Sequence, residues 1–490
     1  MSGVILALDQ GTTSSRTMAI GLDGAVVASA QEEFPQIFPQ SGWVEHDPEA
    51  IWRTQRRTAE QTLQKLGSKK VAAIGVTNQR ETVVVWDRGT GEAIHNAIVW
   101  QDRRTAERTQ QLAKAGHGDL IAERTGLLLD PYFSASKIAW VLDTVPGARE
   151  RAKRGELAAG TIDSFIIWRL TGGRVHATDA TNASRTSLYD IRTGRWDADL
   201  CELFNVPITL LPEVKDSAAD YGVSDLFGPS LPIRGVAGDQ QAALVGQAGF
   251  DAGDVKSTYG TGAFLVLNTG SELKRSRSRL LSTVAYQVGG KTFYALEGSI
   301  LSAGSTIQWL RDELKIIRDG AHAGELAQSI PDTAGVYLVP AFVGLGAPHW
   351  DSDARGAILG LQRGSTIAHI ARAALESAAF QTAELLEAMA RDGVQPQRLK
   401  VDGGMARNDW LLGFMSDVLG VEVIRPRNTE TTALGAAIVA AVGAGEFASL
   451  QEAASLWKLD RRFEPGISSD ERAVRLAAWK RAVARVKTIA

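Results

Sequence analysis

Apolar runs that stop abruptly at an acid restrict the fold of this chain more than any bulk property does. Near the start, Val4, Ile5, Leu6 and Leu8 read as a buried strand that breaks at Asp9, and Gln10, Gly11, Thr12, Thr13, Ser14 and Ser15 follow. Ile233 to Ala237 is a second such run and ends in Gly238-Asp239-Gln240-Gln241. Leu399 to Val401 is a third, short one, which ends in Asp402-Gly403-Gly404 ahead of a helix starting near Asn408. A carboxylate placed where a strand leaves the core, beside glycines and hydroxyls, predicts an α/β chain whose sheet edges carry polar sites. The recurrence of the unit is consistent with duplication of one lobe.

The first unit continues as a meander, with strands at Thr17 to Ile20 and Ala25 to Ser29 reversing at Leu22-Asp23-Gly24. Further strands are expected at Val71 to Val76, Thr82 to Trp86 and Ala97 to Trp100, and over Val255 to Leu267 with Tyr259-Gly260-Thr261-Gly262 in the middle. His369 to Arg391 has the composition of a long helix. Leu476, Trp479, Val483 and Val486 recur at helical spacing near the end, as on a surface helix. At 490 residues the chain is too long for one ordinary core, and two large lobes, 1–248 and 249–490, are the simplest division.

With 53 Lys and Arg against 56 Asp and Glu, no nucleic-acid partner is expected. The basic run Lys274, Arg275, Arg277, Arg279 reads as a solvated loop. One cysteine, Cys201, allows neither an internal disulfide nor a cysteine zinc cluster. The start of the chain reads as strand rather than signal segment, and Ala433 to Val442 is too short to span a bilayer, so no membrane span and a cytoplasmic location are expected. His46 lies between Glu45 and Asp47, but Asp47-Pro48 reads as a helix start rather than a metal site. Asn182-Ala183-Ser184 is a glycosylation triplet in form only.

Small residues at a tight turn let several backbone N–H groups converge on phosphate oxygens, and Gly11 to Ser15 suits that use as well as it suits an ordinary capped turn. Asp9 is too negative to meet a phosphate directly but could act through Mg²⁺ and its waters. No GxxxxGK[ST] occurs, so this is not a P-loop, and His349 spoils the GxGxxG spacing begun by Gly344 and Gly346. Tyr259-Gly260-Thr261-Gly262 and Gly403-Gly404 offer two more glycine-rich turns. Taken alone, Arg80-Glu81 reads as a solvent-facing ion pair and Trp100 as core.

Together the stretches "ALDQGTTSSR", "IGVTNQRET", "AIVWQDRRT", "DPYFSASK", "TNASRTSLYD", "GVAGDQQAALVGQ", "TYGTGAF", "ALEGSI" and "VDGGMARND" resemble the FGGY family of carbohydrate kinases over nearly the whole chain, and most closely its glycerol-phosphorylating branch. That resemblance implies two lobes of the actin and hexokinase type, ribonuclease H-like with mixed central sheets, closing on ATP and a small polyol. It implies that Thr12, Thr13, Ser14, Arg16, Thr261, Gly304, Gln308, Gly404 and Asn408 bind the nucleotide. It places Arg80, Glu81, Tyr132, Asp239 and Gln240 on glycerol, with Trp100 and Phe264 as apolar walls. Asp239 is the implied catalytic base, and Asp9 and Asp239 the implied holders of Mg²⁺. The expected product is sn-glycerol 3-phosphate, and the expected assembly a homo-oligomer, dimer or tetramer. The stretch 216–234 contains no Lys and no His, unlike relatives regulated through an anionic sugar bisphosphate or a phosphorylated histidine, so neither kind of regulation is expected. A kinase of longer polyols and an ATP-driven switch of the actin or Hsp70 kind are the rival readings.

Overall fold

A computed structural model of the chain describes residues 3–488. The strand Val4–Gln10 is buried along its whole length. Its alternate residues enter two different cores: Val4, Leu6 and Leu8 pack with Ile51, Trp52 and Phe165, while Ile5 and Ala7 pack with Leu434, Ala437 and Ile438. A strand covered on both faces has no reason to alternate with polar residues, which explains the unbroken apolar run.

Around it the first sheet runs, in spatial order, Val26–Glu33, Ser14–Gly21, Val4–Gln10, Val71–Asn78 and Leu231–Gly238, with a short outer strand Val223–Ser224. The first three are antiparallel neighbours and the next two run parallel to Val4–Gln10. The second sheet has the same plan: Lys291–Ile300, Ala263–Gly270 and Asp254–Tyr259 are antiparallel neighbours, and Arg398–Asp402 and Glu422–Pro426 continue in parallel. Leu281–Val288 and Leu459–Phe463 extend its two edges. Two sheets of one connectivity fit the duplication suggested by the recurring strand ends.

The sheets are joined by a shared core rather than by a linker alone. The helix Thr431–Gly443, from the second half of the chain, lies on the first sheet and crosses the helix Asp239–Gly246. Both helices are stripped to glycine at the crossing. A Cβ on Gly246 would lie 1.9 Å from the Thr431 carbonyl oxygen, and one on Gly435 would lie 1.7 Å from that of Ala242. The small-apolar run Ala433 to Val442 is therefore an internal packing helix, and among the described residues no helix is long and apolar enough to cross a membrane.

Several expectations need adjustment. The strand after Asn96 covers only Ala97–Ile98, because Trp100 gives its backbone N–H to the Thr82 hydroxyl instead of to a neighbouring strand. A 3₁₀ turn, Gly404–Arg407, separates Asp402 from the helix Asp409–Leu419, which Asn408 caps. The last helix is Ser469–Ala484 and ends before Val486. Asp47 caps the helix Pro48–Leu66, as its Asp-Pro pair suggested. Asn182 is fully buried and bonded to Asn78 and Asp179.

Candidate active site

The three parallel strands of the first sheet end level with one another: Gln10 pairs with Asn78, and Asn78 with Gly238. Asp9 and Asp239 are thereby set at one edge of the sheet, the edge that faces the second lobe. Gly238 carries no side chain for a visible reason, since a Cβ there would lie 2.8 Å from the Arg80 side chain.

Arg80 and Glu81 follow the central strand, and both are buried, 3% and 1% exposed. This overturns their reading as a solvent-facing pair: the two approach only to 3.9 Å, and each has a closer partner elsewhere. Arg80 grips Glu297 through both terminal nitrogens, at 2.6 and 3.0 Å, and gives a further hydrogen bond to Gln241. Glu81 accepts from Arg185 Nε at 2.6 Å, and Arg185 also reaches Glu297 at 2.9 Å. Two arginines and two glutamates form a dry, neutral network spanning both lobes. Burial raises the Glu297 carboxyl, but Arg185 and Arg80 outweigh it and hold the group at about 2. Glu81 sits at φ 61°, a left-handed conformation that a residue other than glycine adopts only at some cost.

Arg80 Nε is buried without a hydrogen-bond partner and lies 3.2 Å from Asp239 Oδ1. Asp239 opens the helix Asp239–Gly246, with its side chain 29% exposed. Desolvation raises its pKa, opposed by Arg80 and Lys256. Beside this group stands an aromatic wall. Trp100 meets Tyr132 edge-on at 5.6 Å between centroids, and Phe264, from the second lobe, at 6.3 Å. The Trp100 indole N–H donates to the Thr12 hydroxyl at 3.0 Å, tying the wall to the glycine and hydroxyl turn.

In that turn Thr13 is exposed, Thr12 and Ser14 are half-buried, and Arg16 donates to Asp9 Oδ2 at 2.8 Å while its other arm meets Glu430. Across the cleft three glycine turns converge. Gly304 N donates to Gly260 O at 3.0 Å, Ala303 and Ser305 donate to Thr261 O, and a Cβ on Gly403 would lie 2.4 Å from Tyr259 O. Gly403 has φ +85°, which glycine alone adopts freely. Thr261, Gln308 and Gly404 are exposed around this point, with Gly304 and Asn408 half-buried among them. Sequence reasoning named both ends of the cleft but passed over Arg185, Glu297, Gln241 and Lys256. For Glu297 the available signal was a charged residue inside an otherwise apolar stretch, "ALEGSI", whereas Lys256 lies in a mixed strand, "DVKSTY", and Arg185 and Gln241 lie outside strands and carried no such signal.

His46 has no metal partners. Its Nε2 bonds Gln36 Oε1 at 2.7 Å, and burial lowers its pKa to about 4. Among the described residues no group of three His, Cys, Asp or Glu is arranged to hold a metal ion.

Two lobes of one connectivity with a carboxylate and converging glycine turns at the cleft define an α/β ATPase fold of the actin and hexokinase type. The chain belongs to the FGGY family of carbohydrate kinases, phosphotransferases with an alcohol acceptor: residues 4–246 match the family's N-terminal domain and residues 255–444 its C-terminal domain. It is 56% identical over 488 residues to a glycerol kinase of Gluconobacter oxydans, covering 99% of this chain and 95% of that one. It is 58% identical over 497 residues to a glycerol kinase of a Chelativorans species, covering 100% and 99%. The crystal structure of Plasmodium falciparum glycerol kinase with ADP superposes with a TM-score of 0.95 at 36% identity, covering 100% of this chain and 99% of that one. A gluconate kinase from Lactobacillus acidophilus, at 22% identity and a TM-score of 0.87 over 99% and 97%, shares the fold.

Proposed function

We propose that the chain is an ATP:glycerol 3-phosphotransferase, moving the γ-phosphoryl group of ATP to a primary hydroxyl of glycerol to give sn-glycerol 3-phosphate. The observation that supports this reading is the group around Asp239, whose carboxylate lies 3.2 Å from Arg80 Nε, beside the aromatic wall in which Trp100 and Phe264 stand 6.3 Å apart. Glycerol offers three hydroxyls and little apolar bulk, so a site for it needs fixed donors and acceptors around a narrow wall. Arg80 and Gln240 serve as donors, Glu81 and Asp239 as acceptors, and Tyr132 as either. Trp100 and Phe264 flank the carbon chain.

Asp239 accepts the proton of the attacking hydroxyl as the oxygen approaches phosphorus. Its contact with Arg80 keeps the carboxylate oriented and draws its pKa down against desolvation. Thr12, Thr13, Ser14 and Arg16 hold phosphate oxygens from one lobe. Thr261, Gly304, Gln308, Gly404 and Asn408 hold the nucleotide from the other. The cleft carboxylates suit Mg²⁺, a hard ion that takes one or two carboxylates together with phosphate and water oxygens. Asp9 and Asp239 would hold the ion, which when bound neutralises charge on the transferred group. The reading extends to a cytoplasmic homo-oligomer, dimer or tetramer, which sedimentation of the purified chain would check.

The test is ADP release with Mg²⁺ and glycerol, beside erythritol, xylulose, gluconate and no acceptor. Turnover is expected with glycerol, and Asp239→Asn should lower kcat by about 10²–10⁴. Preference for a longer acceptor would replace the substrate, and ADP release indifferent to every acceptor would replace the kinase reading with a nucleotide switch.

A further inference from the structure

Lys256 is fully buried in the strand Asp254–Tyr259, and its ammonium has neither a carboxylate in contact nor access to water. Its three N–H groups find three neutral oxygens instead. Lys256 Nζ donates to Gln240 Oε1, to the Thr258 hydroxyl at 3.0 Å and to the Phe264 carbonyl at 3.3 Å. Thr258 and Phe264 are register partners on adjacent strands of the second lobe, whereas Gln240 belongs to the Asp239 helix of the first. One side chain therefore joins the residue next to Asp239 to the hairpin that carries the Phe264 wall. The charged groups around it are Asp402 from the neighbouring strand, Asp239 from the helix, and Arg80 and Glu297 from the buried network.

An ammonium has donors only, so Gln240 must turn its amide oxygen to Lys256 and present its Nε2 N–H groups the other way. We infer that Lys256 is a positioning residue for the acceptor: it holds the Gln240 amide as a hydrogen-bond donor to the polyol and fixes the spacing of Gln240 from the Phe264 wall. Without the lysine nothing distinguishes the two ends of the amide, and the acceptor loses a donor at a set position. Of the residues assigned to the nucleotide only Thr261 lies on this hairpin, at its turn, where its carbonyl accepts from Ala303 and Ser305 rather than from Lys256, and Gly304, Gln308, Gly404 and Asn408 lie on other segments. The inference rests on the assignment of Gln240 to the acceptor.

The test compares wild type, Lys256→Met, Gln240→Leu and the double variant, together with Thr258→Val, a near-isosteric change that removes one acceptor of Lys256 and, with it, the Thr258 hydroxyl's bond to the buried Asp402. KM for glycerol and for ATP, kcat, and calorimetric glycerol affinity are measured. Lys256→Met is expected to weaken glycerol about tenfold or more by both KM and calorimetry, with the ATP KM within about twofold. Gln240→Leu should then add less than about twofold in the Lys256→Met background, and Thr258→Val should shift the glycerol KM more than the ATP KM. Multiplicative effects of Lys256→Met and Gln240→Leu would overturn the inference. So would a Lys256→Met variant, or a Thr258→Val variant if the former does not fold, that changes kcat and the ATP KM but not glycerol binding. If wild type prefers a longer polyol, the glycerol reading fails, and the same split between acceptor and ATP measured on that polyol still decides the role of Lys256.

Discussion

At the scale of single residues, the cleft is built from charges that neutralise one another out of water. Replacing Arg80 by Ala removes the bidentate partner of Glu297, which is 2% exposed, and leaves only Arg185 beside it. Truncating one member of a buried charge network costs about 3–5 kcal/mol, because the remaining charge stays desolvated. Arg80→Ala should therefore lower the urea midpoint as well as abolish glycerol turnover, and a variant that loses turnover at unchanged stability would contradict the network. His176 offers a pH test. Its Nδ1 accepts from Arg88 and its Nε2 faces the Ala159 carbonyl, and burial, with Arg88 beside it, lowers its pKa to about 4. Between pH 6.5 and 4 the unfolded chain binds a proton at this residue that the native chain refuses, so the contribution of His176 to stability falls as pH falls through that window. The loss by pH 5 is ~2 kcal/mol. His176→Gln should reduce the difference in unfolding free energy between pH 7 and pH 5 relative to wild type, as urea titrations at the two pH values would read.

At the scale of elements, the crossing of the helices Asp239–Gly246 and Thr431–Gly443 carries Asp239, the proposed base, on one partner and the lobe contact on the other. In an exposed helix, Gly→Ala stabilises by up to about 1 kcal/mol. At Gly435 the added methyl would lie 1.7 Å from a backbone oxygen, which no rotamer relieves. Gly435→Ala should thus destabilise by about 1–3 kcal/mol or more, reversing the usual sign, and thermal melts of the variant against wild type would show it. The turns at the cleft were legible in sequence because a turn is a local object. Gly403 announces a positive φ, and at Gly262 and Gly403 a Cβ would meet backbone oxygens at 2.4 Å. The convergence of the turns was not legible, since each turn is satisfied by its own neighbours and says nothing of the other two.

At the scale of the whole molecule, the lobes are interleaved through the chain. One face of the first sheet, carrying Ile5, Ala7 and Ala73, is covered by Leu434, Ala437 and Ile438 from the second half. Residues 1–248 expressed alone would expose that face, so the fragment should aggregate or lack cooperative unfolding, and recovery of a stable, cooperatively melting fragment would show the opposite. The division into two equal halves, natural from length, follows the sheets but not the core between them. Arg80 meets Glu297 across 217 residues of chain, and Lys256 meets Gln240 across 16, both between lobes.

By itself the sequence determined where strands end, which turns need glycine, where carboxylates meet the sheet edge, and, through its extended resemblance, the family and its chemistry. These are local demands that a residue type states about its own surroundings. The tertiary structure alone decided which distant group meets each demand: Glu297 rather than Glu81 for Arg80, Gln240 for Lys256, and the Thr431–Gly443 helix for the open face of the first sheet. A buried charge specifies that a partner must exist, and only the closed fold, by bringing remote segments into register, selects which one it is.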